Sequence, residues 1–327
     1  MDAAIRLSGV TKSFGAMTAL HGLDLEIPRG ALYGFIGPNG AGKTTTIRLI
    51  MAILFPDTGT VSVLGHASAL DAKDRIGYLP EERGVYRKMR VSDFLRFIGR
   101  LKGVREPALS DRIKRGLDRV GLAGNDRKRC EELSKGMQQK VQFLASVIHE
   151  PDLLILDEPF SGLDPVSSQT LRDLVVAEHR RGATVVFSTH VMPHAEELCD
   201  HVVMIHKGRK VIDDPVAAIR RRFDPRAIHF DPFDPAADLS PIRALPEVES
   251  VTPSDGTWLV RLRDGSNPSA AISRLAAAVP PARVEIARPR LEDIFIQIVS
   301  DGASGEAARD LRAGLAESAA AGAGARA

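Results

Sequence analysis

The chain has 327 residues, 44% of them hydrophobic and 26% charged, enough apolar material for one large core and a smaller second one. Its 44 basic and 42 acidic side chains leave a formal charge of +2, which excludes a global basic field for nucleic acid; the basic stretches 112–119 and 220–222 read as solvated faces or linker. Two cysteines, Cys130 and Cys199, exclude a disulfide framework and match no zinc-ligand spacing, so they read as incidental thiols of a reducing cytosol.

Residues 4–7 and 23–27 alternate as short half-buried strands do. Residues 31–36 form an apolar, glycine-bounded run, the pattern of a buried strand, and 45–50 carry helical periodicity. Between them stands Gly37-Pro38-Asn39-Gly40-Ala41-Gly42-Lys43-Thr44-Thr45, a complete G-x-x-x-x-G-K-[ST] loop. Strand, loop and helix in that order imply a nucleoside triphosphate site. The glycines let backbone N–H groups face the phosphates and the helix N-terminus adds a positive dipole end; Lys43 can reach the terminal phosphates and Thr44 can hold Mg2+. A plain Gly-rich turn before a helix would require an accidental match at four constrained positions.

Residues 59–65 read as another strand, and 91–150 as mainly helical, with Phe94, Leu95, Phe97 and Ile98 expected on one face. The runs 153–156 and 183–187 have the look of fully buried strands of a parallel sheet, separated by a helix over 167–180. Residues 202–205 and 210–212 flank a Gly-containing turn and read as a hairpin. The fold class is therefore α/β. After residue 215, prolines and Arg220–Arg222 mark a linker to a second unit whose order is strand 227–230, helix 239–245, strand 249–252, strand 258–262, helix 270–279, strand 283–287 and helix 291–299. This β-α-β-β-α-β succession suits a small α+β domain of ferredoxin-like fold. Residues 300–327 are rich in Ala and Gly and are expected to be disordered, with a transient helical tendency at 306–317.

Downstream of the phosphate loop, Leu153-Leu154-Ile155-Leu156-Asp157-Glu158-Pro159 ends four apolar residues in two carboxylates. A buried strand would deliver Asp157 to the sheet edge to orient Mg2+ beside Thr44, while Glu158 projects toward an attacking water. Without the phosphate loop, a strand ending in a solvated acidic turn would be the better reading. At Leu133-Ser134-Lys135-Gly136-Met137-Gln138-Gln139-Lys140 a Ser/Gly turn starts a helix, which alone would be ordinary capping. It precedes the Asp157-Glu158 strand, and Ser161-Gly162-Leu163-Asp164 and His190 follow it.

With these five motifs in order, residues 4–215 resemble the ATP-binding subunits of ABC transporters, whose core is a P-loop NTPase fold with a helical subdomain, here at about 87–150. The resemblance implies that Ser134 and Gly136 contact the γ-phosphate of ATP held by a second copy, each ATP being sandwiched between two chains. It makes Glu158 the general base, His190 the switch histidine and Asp164 part of the loop crossing the interface. For His190 the plain alternative is a strand-end histidine satisfied by backbone; His21 and the remaining histidines match no motif and read as structural or solvated. Phe14 stands where the family stacks an aromatic on adenine, with a core position as its alternative. Glu81, in Leu79-Pro80-Glu81-Glu82-Arg83-Gly84, replaces the family's glutamine near Mg2+; its carboxylate can accept a metal-bound water but adds negative charge and cannot donate as an amide does. That wording resembles the branch of ABC-2-type sodium- and drug-export ATP-binding proteins, which carry an extra C-terminal domain, here 216–299 with Leu291-Glu292-Asp293-Ile294-Phe295.

The implied function is an ATP hydrolase that powers an exporter, with ATP and Mg2+ as cofactors and a separately encoded transmembrane permease as partner. No basic-plus-apolar leader is present and no run approaches eighteen apolar residues, so the expected place is cytoplasmic, on the inner membrane face through that permease. The alternative is a soluble ABC-type mechano-ATPase without a transport partner. Against it stand the lack of a second phosphate loop and of sustained heptads.

Overall fold

The computed structural model describes residues 2–300 apart from 83, 224, 225 and 255, with Ser300 described only in its backbone. The expectations for 301–327, including the helical tendency at 306–317, lie outside the described residues. The described chain divides into a first unit, residues 2–216 with 298–300, and a second, Ala217–Gln297.

The first unit opens with β1 (Ala3–Phe14) and β2 (Met17–Pro28), then β3 (Leu32–Ile36), α1 (Lys43–Ile50), β4 (Thr58–Val63) and β5 (Ile76–Leu79). The helices α2 (Val91–Leu101), α3 (Ala108–Arg119) and α4 (Lys135–Val147) follow. The chain returns to alternation with β6 (Leu153–Asp157), α5 (Pro165–Arg180), β7 (Thr184–Thr189), α6 (Met192–Leu198), β8 (His201–His206) and β9 (Arg209–Pro215). Helix α7 (Val216–Arg222) carries the chain into the second unit.

The main sheet has the order β5-β6-β7-β3-β8-β9; β5 to β8 are parallel and β9 closes the edge as an antiparallel hairpin partner of β8. Every residue of β3, β6 and β7 is buried, which is why these strands read as unbroken apolar runs rather than alternating ones. A second, antiparallel sheet has the order β2-β1-β4. Helix α1 is held between the two: Ile47, Leu49 and Ile50 share one core with Ile5, Leu7, Leu25 and Ile27 of the small sheet and with Phe35, Ile155 and Val186 of the large one. Each such side chain contributes roughly 1.5–3 kcal/mol by leaving water, so the helix that begins at the phosphate loop is anchored along its length.

Two features differ from the sequence pattern. β1 and β2 are 12 residues each, far longer than the four- and five-residue alternations at 4–7 and 23–27, because register shifts between Leu7 and Val10, and again up to Ser13, break the period of two. In α2 the buried face is Val91, Phe94 and Leu95, whereas Phe97 is 39% exposed and meets Tyr86 edge-on, so it does not belong to the core stripe.

The second unit contains β10 (Ala227–Pro232), α8 (Ser240–Arg243), β11 (Val248–Ser254), β12 (Thr257–Leu262), α9 (Pro268–Ala278) and β13 (Pro281–Ile286), followed by α10 (Leu291–Ser300). Its sheet order is β11-β12-β10-β13 with every neighbouring pair antiparallel, the ferredoxin-like arrangement that the strand and helix succession suggests. Ile228, Phe230, Ile242, Val260 and Leu275 form its dry centre. Asn267 caps α9, accepting from Ser269 N–H, and Pro268 opens the helix. α8 is only four residues, shorter than the 239–245 expectation; Pro246 follows closely and disfavours helical backbone at Leu245.

Candidate active site

Parallel pairing brings four strand ends to one edge of the main sheet. Leu79 pairs with Leu156, Asp157 with Ser188, and Ile36 with Thr189, so the chain leaves β5, β6, β7 and β3 side by side into the segments that carry Glu81, Glu158, His190 and Gly37. Ligands of open α/β sheets bind beyond this carboxyl edge.

The phosphate loop is fitted tightly there. Gly37 has φ 151°, and a Cβ at that position would lie 2.2 Å from the carbonyl oxygen of Ile205, so no side chain is possible. The N-cap of α1 is Gly42, which supplies no side-chain acceptor, and the first turn contains no acid. The N–H groups of Lys43, Thr44 and Thr45 in that turn are thus left for an external anion. Lys43 is 6% exposed and its Nζ donates to the carbonyls of Gly37 at 2.7 Å and Pro38 at 3.1 Å.

Asp157 is 1% exposed at the end of β6. Its Oδ1 accepts from Thr44 Oγ1 at 3.4 Å and from Ser188 Oγ at 2.5 Å. Burial pushes the Asp157 carboxyl up, opposed by those two hydrogen bonds and by Lys43, while Glu158 adds to the rise. Burial likewise pushes the Lys43 ammonium down, against the pull of Glu158, Asp157 and Glu81. Both groups are desolvated, and a ligand bringing opposite charge to each would relieve them. The paired hydroxyl and carboxylate are hard oxygen donors, the set that suits Mg2+.

Glu158 follows in left-handed backbone, φ 48°, with its N–H donating to Ser188 O at 3.2 Å. A non-glycine residue held there costs on the order of 1–3 kcal/mol, a strain that concentrates at functional positions. His190 Nδ1 donates to Glu158 Oε1 at 2.8 Å, since a carboxylate only accepts. His190 is therefore satisfied by a side chain, not by strand-end backbone.

A cavity of about 580 Å3 opens at this edge, lined among others by residues 39–45, Glu81, Glu158 and, from the β1–β2 hairpin, Phe14. Phe14 is 44% exposed, which removes the core alternative for it. Gly37 and Pro38 join the site through Lys43, Asp157 through Thr44, and His190 through Glu158. Glu81 is an exposed wall residue, and among the described residues no three His, Cys, Asp or Glu side chains converge as a metal cage, so it does not form one with Asp157 and Glu158. Ser134, Gly136 and Asp164 do not line the cavity. Ser134 caps α4, accepting from Met137 N–H at 3.3 Å, and Asp164 caps α5, accepting from Ser167 N–H at 2.9 Å. Those bonds from Ser167 hold the Asp164 carboxyl below its usual range. A Cβ at Gly136 would stand 3.0 Å from Ser167 Oγ and 3.5 Å from Asp164 Oδ2, so the two helix starts sit together.

The wall also includes His21 and Lys207, which no sequence motif singles out. They arrive through long-range pairing: His21 N–H donates to Gly208 O, and Gly208 N–H to Ala41 O. Local sequence carries no trace of that contact.

Comparison with known proteins agrees with this geometry. The family model described as "ABC transporter" matches residues 20–161, and that of the "ATP-binding protein DrrA1-3-like, C-terminal domain" matches 215–299. The ABC transporter ATP-binding protein YhaQ of Bacillus subtilis is 38% identical over 296 residues, covering 90% of this chain and 98% of that protein. The chain belongs to the ATP-binding proteins of ABC transporters. The bacitracin transport ATP-binding protein BcrA of Enterococcus faecalis is 29% identical over 308 residues, 92% of this chain and 98% of that one. A solved structure of an ATP-binding subunit of an ABC transporter is 30% identical with a TM-score of 0.63, covering 67% of this chain and 93% of its own. As an ABC ATP-binding subunit the protein shares the family's ATP binding and hydrolysis, and among the described residues no helix is long and apolar enough to cross a membrane.

Proposed function

We propose that this protein is the ATPase subunit of an ABC-type exporter, closing as a head-to-tail pair on two molecules of ATP and separating after hydrolysis. The observation that carries the reading is the split of the site: the phosphate loop, Asp157 and the Glu158–His190 pair meet at one sheet edge, while Ser134 and Gly136, beside Asp164, are not among the residues lining that cavity. Such a half-site is completed by the Ser134 and Gly136 surface of a second copy.

In this reading Lys43 exchanges the Gly37 and Pro38 carbonyls for the terminal phosphates, and the N–H groups of residues 43–45 hold the chain. Mg2+, held by Thr44 and Asp157, would neutralise charge on the phosphate oxygens. Glu158 accepts the proton of the attacking water. His190, by donating Nδ1–H to Glu158, fixes the orientation of that carboxylate and leaves Nε2 for the γ-phosphate side. Phe14 offers a stacking face for adenine. The helical region α2–α4 faces a separately encoded permease, placing the protein at the inner membrane face. Export as the direction of transport is supported by the likeness to a bacitracin transport protein and by the DrrA-like second unit.

The test is Glu158→Gln, compared with Lys43→Ala. Glu158→Gln is expected to bind ATP and lose turnover by about 100-fold or more, the scale of a general-base contribution. Lys43→Ala is expected to lose binding itself. Hydrolysis by Glu158→Gln at the wild-type rate would overturn the role assigned to Glu158.

A further inference from the structure

The cavity holds a second lysine that the phosphate-loop chemistry does not account for. β8 and β9 are joined through Lys207-Gly208, with φ of 45° and 70°, the left-handed pair of a type I′ turn. This turn is fastened to the site from two sides. Gly208 N–H donates to Ala41 O of the phosphate loop at 2.9 Å, and Gly208 O accepts from His21 N–H of β2 at 3.0 Å. A Cβ at Gly208 would lie 2.3 Å from Ala19 O, so the turn rests directly on the hairpin backbone. Lys207 is thereby fixed at the cavity wall.

A plain turn role explains this lysine poorly. The first position of a type I′ turn favours Asn, Asp or Gly, and another L-residue there costs on the order of 1 kcal/mol. Of the six non-glycine residues with left-handed backbone among those described, two line this cavity, Lys207 and the base candidate Glu158. Lys207 also has no carboxylate partner among the described residues, whereas Lys210 on the same hairpin is paired with Asp213 at 2.7 Å. The bound triphosphate carries about four negative charges, and the one lysine of the loop is desolvated, so a second cation has a clear task.

We propose that Lys207 is a nucleotide-binding residue that meets the phosphate chain at its nucleoside end. Its neighbours give the position: the turn is bonded to Ala41 and to His21 on the hairpin that carries Phe14, while Thr44, Asp157, Glu81 and Glu158 mark the terminal-phosphate end. The inference rests on the nucleotide site proposed above.

Lys207→Asn tests it without endangering the fold, because Asn-Gly is the preferred pair for this turn. Titration of ATP and of ADP with Mg2+ into the full chain is expected to show both affinities lowered by about 3- to 10-fold, with a shallower salt dependence. The unfolding temperature without nucleotide should stay level or rise, and Lys207→Arg should keep both affinities within about twofold. Unchanged affinity for both nucleotides would overturn the proposal, as would a loss confined to ATP, which would put the contact at the γ-phosphate. A loss shared by the Asn and Arg variants together with lower stability would also overturn it, showing a structural role. Wild-type protein failing to bind ATP in a Lys43-dependent way would instead sink the underlying site reading, a result separable from all of these.

Discussion

Ser188→Ala probes the electrostatic balance of the site while leaving every side chain assigned to ATP or Mg2+ in place. Ser188 is fully buried; its hydroxyl accepts from Glu158 N–H, which Ser188 O also takes, and donates to Asp157 Oδ1, whose other hydrogen bond, from Thr44, is long at 3.4 Å. Hydrogen bonds to a charged group contribute roughly 1.5–3 kcal/mol, and Thr44 cannot replace the lost one. A loss of about 2 kcal/mol corresponds to roughly 4–8 °C in the unfolding midpoint of a unit of this size. The pH dependence gives the sharper signature. Burial already holds the Asp157 carboxyl above its ordinary value of 3.8, so the folded state takes up a proton more readily than the unfolded one, and folding gains stability as pH falls through the folded value. Removing Ser188's bond raises that value further. The variant's deficit should therefore be largest where Asp157 is ionised and shrink as it protonates. Urea unfolding of both proteins without nucleotide or metal, at about pH 7.5 and then in steps down to the acid limit of the folded state, measures this. No deficit at about pH 7.5, or a deficit that stays constant down the whole series, would refute the reasoning.

Two further outcomes follow from the same geometry. Glu81→Gln, at an exposed wall position outside any metal cage, should leave hydrolysis by the isolated protein within about threefold of wild type, and a loss of tenfold or more would show that the carboxylate takes part. Burial, helped by Lys102 and Arg112, pushes His149 down to about 4, with its Nε2 donating to Ile76 O at 3.1 Å. A histidine with a depressed folded value is fully stabilising above its ordinary 6.5 and loses that contribution as pH falls toward 4, about 3 kcal/mol in all. His149→Gln cannot titrate, so its urea midpoint should fall less than the wild type's across that window; equal slopes would contradict the assignment.

The parts of the fold legible in sequence are those whose physics is local. The apolar runs at 153–156 and 183–187 announce strands buried on both faces, and the glycine loop between a buried strand and a helix announces its own geometry. The second unit was readable as a strand and helix order, and α9 falls within two residues of the helix expected over 270–279, its start at Pro268 set by the Asn267 cap. What escaped was set by tertiary contacts. The long β1–β2 pairing is hidden because bulges interrupt alternation, and Phe97, although spaced to share a face with Phe94, packs edge-on against the exposed Tyr86 and not in the core. His21 and Lys207 reach the cavity only because the β8–β9 turn pairs with β2 and the phosphate loop, a contact between segments far apart in the chain. Ser134, Gly136 and Asp164 gather beside each other for a similar reason, through the close approach of the starts of α4 and α5.

The central claim is that each ATP site is completed by a second copy of the chain. Sedimentation of Glu158→Gln with saturating ATP and Mg2+ measures it most directly: the account predicts a species of twice the monomer mass that reverts to monomer when Ser134 is also replaced by Arg. A protein that binds ATP yet remains monomeric, alone and with its permease, would contradict the account.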